Sequence, residues 1–368
     1  MQIIKEQKAI IKATLPERDP TKKQEVFYNP LMTSNRNISV LLLNSVTNKE
    51  MDIADPLAGS GIRAIRFLQE LKKGKIKQLF VNDNKELFID QFKDNLRLSK
   101  LDTPTIQKMV TIKNDDAEQF LLGQRSDEFS GYFDYIDIDP FGTPNPFLSA
   151  AVNRIKRDGI LAITATDTAA LTGTYPKVTL RKYWARNIRN YLMHETGLRI
   201  LIRKVQLQGI QFDKALVPIL AYHKDHYFRM YFRSEKGKEK CDALLKQHQF
   251  FLMNPKTLEF KTSVYNLEQG WEWMGPLWTG SLFDRPLLEI MNRKNTFQEE
   301  EKFLSLLLEE AGQDQPFFYD LHVLAKKYGK EPPKMDAALQ KLQGVRTHFS
   351  VYGVKTKKGV KDVVRLLK

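Results

Sequence analysis

Residues 135–142 read Tyr135-Ile136-Asp137-Ile138-Asp139-Pro140-Phe141-Gly142, which predicts a strand and the turn that ends it. The first four residues are rich in β-branched and aromatic side chains and are followed by proline and glycine, so we expect a buried strand. Asp139 then falls at the carboxyl end of this strand, where open α/β sheets bind their ligands. Pro140 has no N–H to donate, so it ends the strand and fixes the direction of the preceding carboxylate. An isolated Asp-Pro pair is more often a simple turn or helix cap, so its meaning depends on the surrounding sequence.

Four further strand-like runs also end in polar residues. The first ends at Asp55 and opens a loop with Gly59 and Gly61, which let backbone approach a ligand at the start of a helix over 62–73. The others cover residues 76–81, 108–113 and 159–166, and they are followed by Asp83, Asp116-Ala117 and Asp167. Because the carboxyl ends of parallel strands meet at one edge of a sheet, we expect these side chains to share that edge. An acidic residue placed like Asp83 suits the ribose hydroxyls of a nucleoside cofactor.

The segments on either side complete an α/β fold. Residues 2–14 alternate weakly in polarity and predict a small hairpin, and residues 31–46 predict a helix with Arg36 on its first turns. Residues 214–222 and 226–233 predict an antiparallel hairpin that closes the sheet. The parallel strands and this hairpin together predict a mixed sheet of seven strands.

A basic helix and a small carboxyl-terminal domain are expected beyond the sheet. Residues 178–194 have the apolar spacing of an amphipathic helix, with Lys182, Arg186 and Arg189 on one polar face. Such a face can follow the phosphates of a nucleic acid, or it can be an ordinary solvated surface. After an aromatic segment over 234–284, short helices precede a strand pair and basic residues that include Arg346 and His348, a pattern typical of a winged-helix-like α+β domain. We place the domain boundary between residues 265 and 266.

Composition narrows the class of protein. The 368 residues contain 58 Lys and Arg against 44 Asp and Glu, a formal charge of +14, which favours a polyanionic partner but also fits a merely basic surface. Cys241 is the only cysteine, which excludes a disulfide within the chain and a cysteine zinc site. No signal-peptide pattern opens the sequence and no apolar run is long enough to span a bilayer, so we expect a cytoplasmic protein with neither membrane nor metal.

The order of these motifs resembles that of class I methyltransferases: the first loop, Asp83, Asp116-Ala117 and then the Asp-Pro-Phe-Gly turn. More narrowly, the chain resembles the tRNA guanine-26 N2-dimethyltransferases of archaea and eukaryotes over nearly its whole length. The shared motifs are Phe27-Tyr28-Asn29-Pro30, Asn35-Arg36, Gly61-Ile62-Arg63, Asp137-Ile138-Asp139-Pro140-Phe141-Gly142, Thr164-Ala165-Thr166-Asp167, Tyr222-His223-Lys224-Asp225-His226-Tyr227-Phe228-Arg229 and Arg346-Thr347-His348-Phe349-Ser350.

The resemblance implies a Rossmann-like class I methyltransferase domain with S-adenosyl-L-methionine as cofactor, and a carboxyl-terminal domain that binds tRNA. Beside Asp55, Gly59 and Gly61 of the first loop, it carries the cofactor positions onto Arg36, Arg63, Asp83, Asp116 and Ala117. It also assigns the catalytic positions, with Asp139 as catalytic acid next to Pro140 and with the guanine between Phe27 and Phe141. We expect RNA contacts at Lys182, Arg186, Arg189, Arg346 and His348, and a monomer. The loop over 168–173 departs from the family pattern, and so does the absence of the cysteine zinc site that some relatives carry.

The chemistry of the exocyclic amine of guanine explains why a carboxylate is needed. This amine is a weak nucleophile because its lone pair is delocalised into the ring. If the Asp139 carboxylate and the Pro140 carbonyl accept hydrogen bonds from its two N–H groups, the lone pair turns toward the methyl donor. The negative carboxylate then stabilises the positive charge that develops on the nitrogen. Two alternatives stay open at this point, an adenine-N6 methyltransferase with a similar turn and a basic RNA-binding protein without activity.

Overall fold

The computed structural model describes residues 1–15, 26–123, 131–313 and 315–368. These residues form two compact units: Met1–Thr164 with Arg293–Glu300 make up unit 1, and Ala165–Asn292 with Glu301–Lys368 make up unit 2. Among the described residues, every helix is too short or too polar to cross a membrane.

Unit 1 alternates strands and helices, as its sequence predicts. Its strands are β1 Gln2–Glu6, β2 Ala9–Ala13, β3 Met51–Asp55, β4 Ile76–Asn82, β5 Val110–Lys113, β6 Phe133–Ile138 and β7 Ile155–Ala165. Its helices are α1 Thr33–Ser45, α2 Ile62–Glu70, α3 Phe88–Leu98, α4 Pro104–Met109, α5 Ala117–Gly123 and α6 Leu148–Arg154. The expected strand over 108–113 starts later than predicted, because Thr103 and Pro104 start helix α4, which continues to Met109.

Unit 2 continues with mixed elements. Its first half contains α7 Thr168–Leu171, α8 Pro176–Tyr183, α9 Met193–Ile210, β8 Lys214–Lys224, β9 Tyr227–Lys236 and α10 Lys238–Lys246. Three strands and a helix follow, β10 His248–Met253, β11 Phe260–Ser263, β12 Glu272–Trp278 and α11 Arg285–Lys294. The last elements are α12 Glu301–Glu310, β13 Tyr319–Asp320, α13 Leu321–Tyr328, α14 Met335–Leu342, β14 Val345–Thr347, β15 Ser350–Lys355 and α15 Val360–Arg365.

The largest sheet has seven strands in the order β5-β4-β3-β6-β7-β9-β8. Strands β3 to β7 pair in parallel and β8 pairs with β9 in antiparallel fashion, so the predicted mixed seven-stranded sheet is confirmed. Ile53 of β3 pairs with Leu79 on one side and Tyr135 on the other, and every residue of β3 is buried, as expected of a strand covered on both faces. The carboxyl ends of these strands therefore bring Asp55, Asp83 and Asp139 to one edge.

The helix predicted over 178–194 does not form as one helix. Helix α8 ends at Tyr183, and Trp184 follows in the left-handed conformation with φ 54°. The Arg186 N–H then donates to the Gly275 carbonyl at 2.8 Å, and the Gly275 N–H donates to the Arg186 carbonyl at 2.7 Å. The backbone thus pairs with β12 where a continuous helix would bond to itself, and α9 begins only at Met193. Lys182, Arg186 and Arg189 do not share a helix face, which corrects the prediction.

The carboxyl-terminal residues have the winged-helix-like pattern that the sequence predicts, with α13 and α14 before the strand pair β14 and β15. The short strand β13 precedes α13 and completes a small sheet in the order β13-β15-β14. These residues are joined to α9 by buried polar contacts. Lys355 of β15 lies 3.1 Å from Glu195 of α9, whose Oε1 also accepts the Phe317 N–H at 2.8 Å. The compact units divide the chain at Thr164, so the predicted boundary at 265/266 does not coincide with them, and a separate domain over 266–368 stays a prediction.

Candidate active site

Arg63 holds Asp139 at the edge of the sheet. Its Nη2 donates to Asp139 Oδ2 and to Asn35 Oδ1, the latter at 3.1 Å. Its Nη1 donates to Ser39 Oγ at 3.0 Å and lies 3.2 Å from Asp137 Oδ2. The guanidinium is buried, while the Asp139 side chain is 18% exposed, and among the described residues no donor reaches its Oδ1. The Asp139 carboxylate is therefore fixed through one oxygen and can accept hydrogen bonds at the other.

Asp55 is a second carboxyl group at this edge, and it is fully buried at the end of β3. Burial raises the pKa of Asp55 to about 8, with Arg63 opposing the shift and the charges of Asp137, Asp139 and Asp83 adding to it. Its Oδ2 has no hydrogen-bond partner among the described residues. A buried polar atom without a partner is uncommon in folded proteins, and it indicates a place for a ligand group or water.

The loop between β3 and α2 forms a backbone cradle beside Asp83. The Gly59 N–H donates to Asp83 Oδ2 at 2.8 Å, and the Lys85 N–H donates to Oδ1 at 3.1 Å. Burial raises the pKa of Asp83, although these backbone donors work against the shift. Gly61 has φ +76°, and a Cβ there would lie 2.1 Å from Cδ2 of Phe92, so only glycine fits at the start of α2.

Asp116 and Ala117 lie where the sequence predicts, just after β5. Asn82 connects this loop to the first one, because its Nδ2 donates to the carbonyls of Pro56 at 3.1 Å and Asp115 at 2.9 Å. Asp116 is exposed and caps α5 by accepting the Glu118 N–H at 2.9 Å. Ala117 is buried. Their contact with a cofactor stays a prediction.

Phe27 and Phe141 face each other at the same edge. Their ring centroids are 4.2 Å apart with an interplanar angle of 67°, an edge-to-face contact. A base stacked between two parallel rings needs them about 7 Å apart, twice a van der Waals separation of roughly 3.5 Å. The two residues are together, as expected, but the rings must separate before they can enclose a guanine.

Arg36 has a protein carboxylate as its partner in this structure. Its Nε donates to Glu6 Oε1 at 2.7 Å and its Nη2 donates to Glu6 Oε2. Arg66 of α2 donates to the same carboxylate at 2.9 Å. Burial alone would raise the pKa of Glu6, but Arg36 and Arg66 hold it at about 2. Arg36 therefore ties the hairpin of β1 and β2 to α1, and its contact with a cofactor stays a prediction.

The predicted RNA-binding residues differ in accessibility. Lys182 is exposed and lies 3.3 Å from Asp167, Arg189 is exposed, and Arg346 lies 3.3 Å from Asp336. Arg186 is partly buried, with its guanidinium 4.7 Å from the centre of the Trp273 ring.

His348 is not available to RNA in this structure, which corrects the prediction for that residue. Its side chain is 1% exposed, and its Nδ1 lies 2.6 Å from Glu310 Oε2. Burial beside Glu310 gives it a structural position within unit 2.

Three residues around Arg63 were not assigned a role from the sequence. Asn35 and Ser39 are one helical turn apart on α1, and both are fully buried, as is Asp137. Buried polar residues at i and i+4 on one helix need a polar partner, but the sequence pattern does not identify it. Among the described residues, no group of three His, Cys, Asp or Glu side chains is arranged to hold a metal ion, and the expected absence of a metal stays a prediction.

Comparison with known proteins identifies the family of this chain. The chain is 37% identical to a tRNA (guanine(26)-N(2)/guanine(27)-N(2))-dimethyltransferase of Aquifex aeolicus, over 99% of this chain and 95% of that one. It is 35% identical to the tRNA (guanine(26)-N(2))-dimethyltransferase of Pyrococcus furiosus, over 97% and 96%. Trm1 of Pyrococcus horikoshii, solved with S-adenosyl-L-methionine, superposes with a TM-score of 0.88 at 32% identity and covers all of both chains. With a family match over residues 2–368 as well, the chain belongs to the N2,N2-dimethylguanosine tRNA methyltransferase family.

Proposed function

We propose that this chain transfers methyl groups from S-adenosyl-L-methionine to the exocyclic N2 amine of guanosine 26 in tRNA, first once and then a second time. The observation that carries the proposal is the Asp139 carboxylate, which Arg63 fixes at the carboxyl end of β6 with one oxygen still open to a donor. Membership of the dimethylguanosine family supports guanine over adenine as the base and supports an enzyme over an inactive RNA-binding protein.

The residues at the sheet edge fit the cofactor. Gly59 and Gly61 adopt the positive φ angles, +58° and +76°, of the tight turn before α2, and backbone N–H groups at the start of a helix can face a ligand. Each Asp83 oxygen accepts one backbone N–H and keeps a lone pair for a ribose hydroxyl. The unpartnered Asp55 Oδ2 adds a polar atom for the amino-acid end of the molecule. When bound, S-adenosyl-L-methionine supplies a methyl group made electrophilic by the positive sulfur.

Asp139 and Pro140 act on the nucleophile. The open oxygen of Asp139 accepts one N–H of the guanine amine and the Pro140 carbonyl accepts the other, which turns the nitrogen lone pair toward the methyl group. The amine gains positive charge as the N–C bond forms and the S–C bond of the donor breaks, and a carboxylate held in place beforehand stabilises that charge without reorganising. The Asp139 carboxylate can then accept the proton that the methylated nitrogen loses. Counted formally, two carboxylates, Asp137 and Asp139, meet one guanidinium at Arg63, so negative charge remains beside the amine.

Phe27 and Phe141 bind the base once it has left the tRNA stack. Extruding a base costs a few kcal/mol, and stacking on aromatic rings offsets part of this cost. Because the two rings contact each other here, their separation accompanies base entry. The exposed basic residues of unit 2 contact the tRNA phosphates, as the net charge of +14 favours. We also propose that the protein works as a cytoplasmic monomer without a metal.

Methylation of an unmodified tRNA transcript tests the proposal. The transcript is incubated with the protein and S-adenosyl-L-methionine, digested to nucleosides, and mapped by nuclease fragments. We expect N2-methylguanosine and then N2,N2-dimethylguanosine at position 26, and a transcript with adenosine at 26 separates that position from 27, which the name of the Aquifex relative includes. Methylated adenosine, or no methylated nucleoside at all, would overturn the proposal.

A further inference from the structure

One face of α8 is exposed over its whole length. Lys177, Leu180, Arg181 and Trp184 follow each other at i, i+3, i+4 and i+7, which places them on one side of the helix. The Leu180 side chain is 59% exposed and that of Trp184 is 49% exposed, while Thr179 and Tyr183 on the other side are buried. A helix normally turns its large apolar residues inward, so an outward leucine and tryptophan indicate a partner for this face.

The charge around this face favours a polyanion as the partner. Residues 168–194 contain five Lys or Arg and no Asp or Glu. Among the described residues, no carboxylate pairs with Lys177 or Arg181, so both positive charges remain available. Basic side chains alternating with exposed aromatic and apolar side chains are the usual composition of a surface that binds single-stranded or looped RNA.

Trp184 is arranged as a stacking platform. The Lys204 ammonium lies 2.9 Å from the centre of its ring, which covers one face of the indole, and the remaining exposure leaves the other face open. The residue also has left-handed backbone angles, φ 54° and ψ 37°, at the end of a helix, where glycine or asparagine is favoured. The backbone conformation therefore does not favour tryptophan at this position, so we infer that the ring itself has a role.

We propose that this face of α8 binds tRNA, with a nucleobase stacked on the open side of Trp184 and phosphates contacted by Lys177 and Arg181. The proposal rests on the proposed function, since it takes tRNA as the substrate, and it adds a contact that is separate from the residues holding Asp139. A base on the ring and phosphates beside it account for both the aromatic and the basic side chains.

Three variants test this contact. Trp184→Gly removes the ring and also relieves the left-handed backbone, which offsets part of the packing lost with the half-buried ring. Trp184→Phe keeps a smaller stacking surface. Tyr265→Ala is the matched control, because Tyr265 is 75% exposed in unit 2 but has no comparable basic neighbourhood. Dissociation constants for tRNA and for S-adenosyl-L-methionine, KM and kcat are measured for each, with urea unfolding as a check on folding.

We expect Trp184→Gly to weaken tRNA binding by roughly 5- to 150-fold and to raise KM for tRNA, because one aromatic–base stack contributes about 1–3 kcal/mol and 1.4 kcal/mol is tenfold. Cofactor affinity and the kcat at saturating tRNA should stay within about twofold, because a contact made equally before and during the reaction changes KM alone. Trp184→Phe should fall between, and Tyr265→Ala should match the natural chain.

Unchanged tRNA affinity in Trp184→Gly overturns the inference. It is also overturned if Trp184→Gly weakens binding to anionic lipid vesicles but leaves binding to tRNA unchanged. If the natural chain itself methylates no tRNA, the proposed function fails instead, and the two failures are distinguishable.

Discussion

Burial makes the neutral form of the Asp55 carboxyl group the stable one at neutral pH. Its pKa rises from 3.8 to about 8 in the folded protein. The folded state therefore binds one more proton than the unfolded state between these pH values. The contribution of Asp55 to the free energy of unfolding must therefore decrease as the pH rises from about 4 through about 8. This is the opposite of the pH dependence that an ordinary ion-paired aspartate gives.

Replacing Asp55 by Asn should remove this pH dependence, since an amide has nearly the same shape and does not titrate. We expect the stability of the natural chain to fall relative to Asp55→Asn between pH 5 and pH 9, by an amount on the order of a few kcal/mol, since one pKa unit corresponds to about 1.4 kcal/mol. Urea unfolding at several pH values measures the difference. A difference that does not vary with pH would show that Asp55 is charged in the folded protein.

At the scale of residues, the sequence predicts where a side chain lies in the fold better than it predicts which side chain pairs with it. Asp55, Asp83 and Asp139 all lie at the edge that their strand ends predict, because the end of a parallel strand is fixed by local sequence. The partners of Arg36 and His348 are Glu6 and Glu310, which come from elsewhere in the chain. No local pattern identifies such a carboxylate, so burial and pairing of these two residues could not be predicted.

The hairpin of β1 and β2 shows how one charge organises several elements. Glu6, at the end of β1, accepts hydrogen bonds from Arg36 of α1 and Arg66 of α2, and also from the Tyr28 hydroxyl at 2.9 Å. All four side chains are buried. Since two guanidinium groups share this carboxylate, its removal leaves positive charge buried without compensation.

Glu6→Gln should therefore destabilise the protein by about 3–5 kcal/mol, as expected when one partner of a buried ion pair is lost. Urea unfolding measures the change. Glu289→Gln serves as the control, because its pairing with Arg285 is exposed and should contribute less than about 1 kcal/mol. With a folded pKa of about 2 against 4.5, the Glu6 contribution is complete above pH ~4.5 and disappears as the pH falls through about 2. Equal effects of the two substitutions would contradict this role.

At the scale of elements, the strands and most helices were predictable and the long basic helix was not. Strands β3 and β6 are short runs with clear turn signals at their ends, so the sequence predicts them as strands. Residues 178–194 keep apolar spacing beyond Tyr183, but there the chain turns at Trp184 and pairs with Gly275. A pairing between residues so distant in sequence outweighs the local helical preference.

At the scale of the molecule, the carboxyl-terminal residues belong to the packing of unit 2. Lys355 lies 3.1 Å from Glu195 and 3.0 Å from Glu310, and all three side chains are buried. This network joins β15 to α9 and α12. The sequence pattern predicts an appended carboxyl-terminal domain. It does not reveal the buried ion pairs between β15 and α9, because the carboxylate and the lysine are far apart in the sequence.

A chain shortened to residues 1–300 should accordingly lose the folded state of unit 2, because Glu195 loses Lys355 and the Phe317 N–H together. The four tryptophans, Trp184, Trp271, Trp273 and Trp278, all lie in unit 2, so tryptophan fluorescence reports on it alone. We expect a red-shifted emission and no cooperative unfolding transition by fluorescence. Native-like emission with a cooperative transition would mean that residues 301–368 fold as an independent domain.

The most direct test of the central claim compares Asp139→Ala and Asp139→Asn with the natural chain. Calorimetry measures affinity for S-adenosyl-L-methionine, and single-turnover methylation of a tRNA transcript measures the chemical step. We predict cofactor affinity within a few-fold for both variants, and for Asp139→Ala a loss of turnover on the order of 10²–10³ or more, as when one preorganised transition-state partner is removed. Retained turnover in Asp139→Asn would show that a hydrogen-bond acceptor suffices, and an Ala-like loss would show that the charge or the proton-accepting ability of the carboxylate is needed. If Asp139→Ala methylates tRNA guanine at nearly the natural rate while folding normally, Asp139 is not the catalytic group.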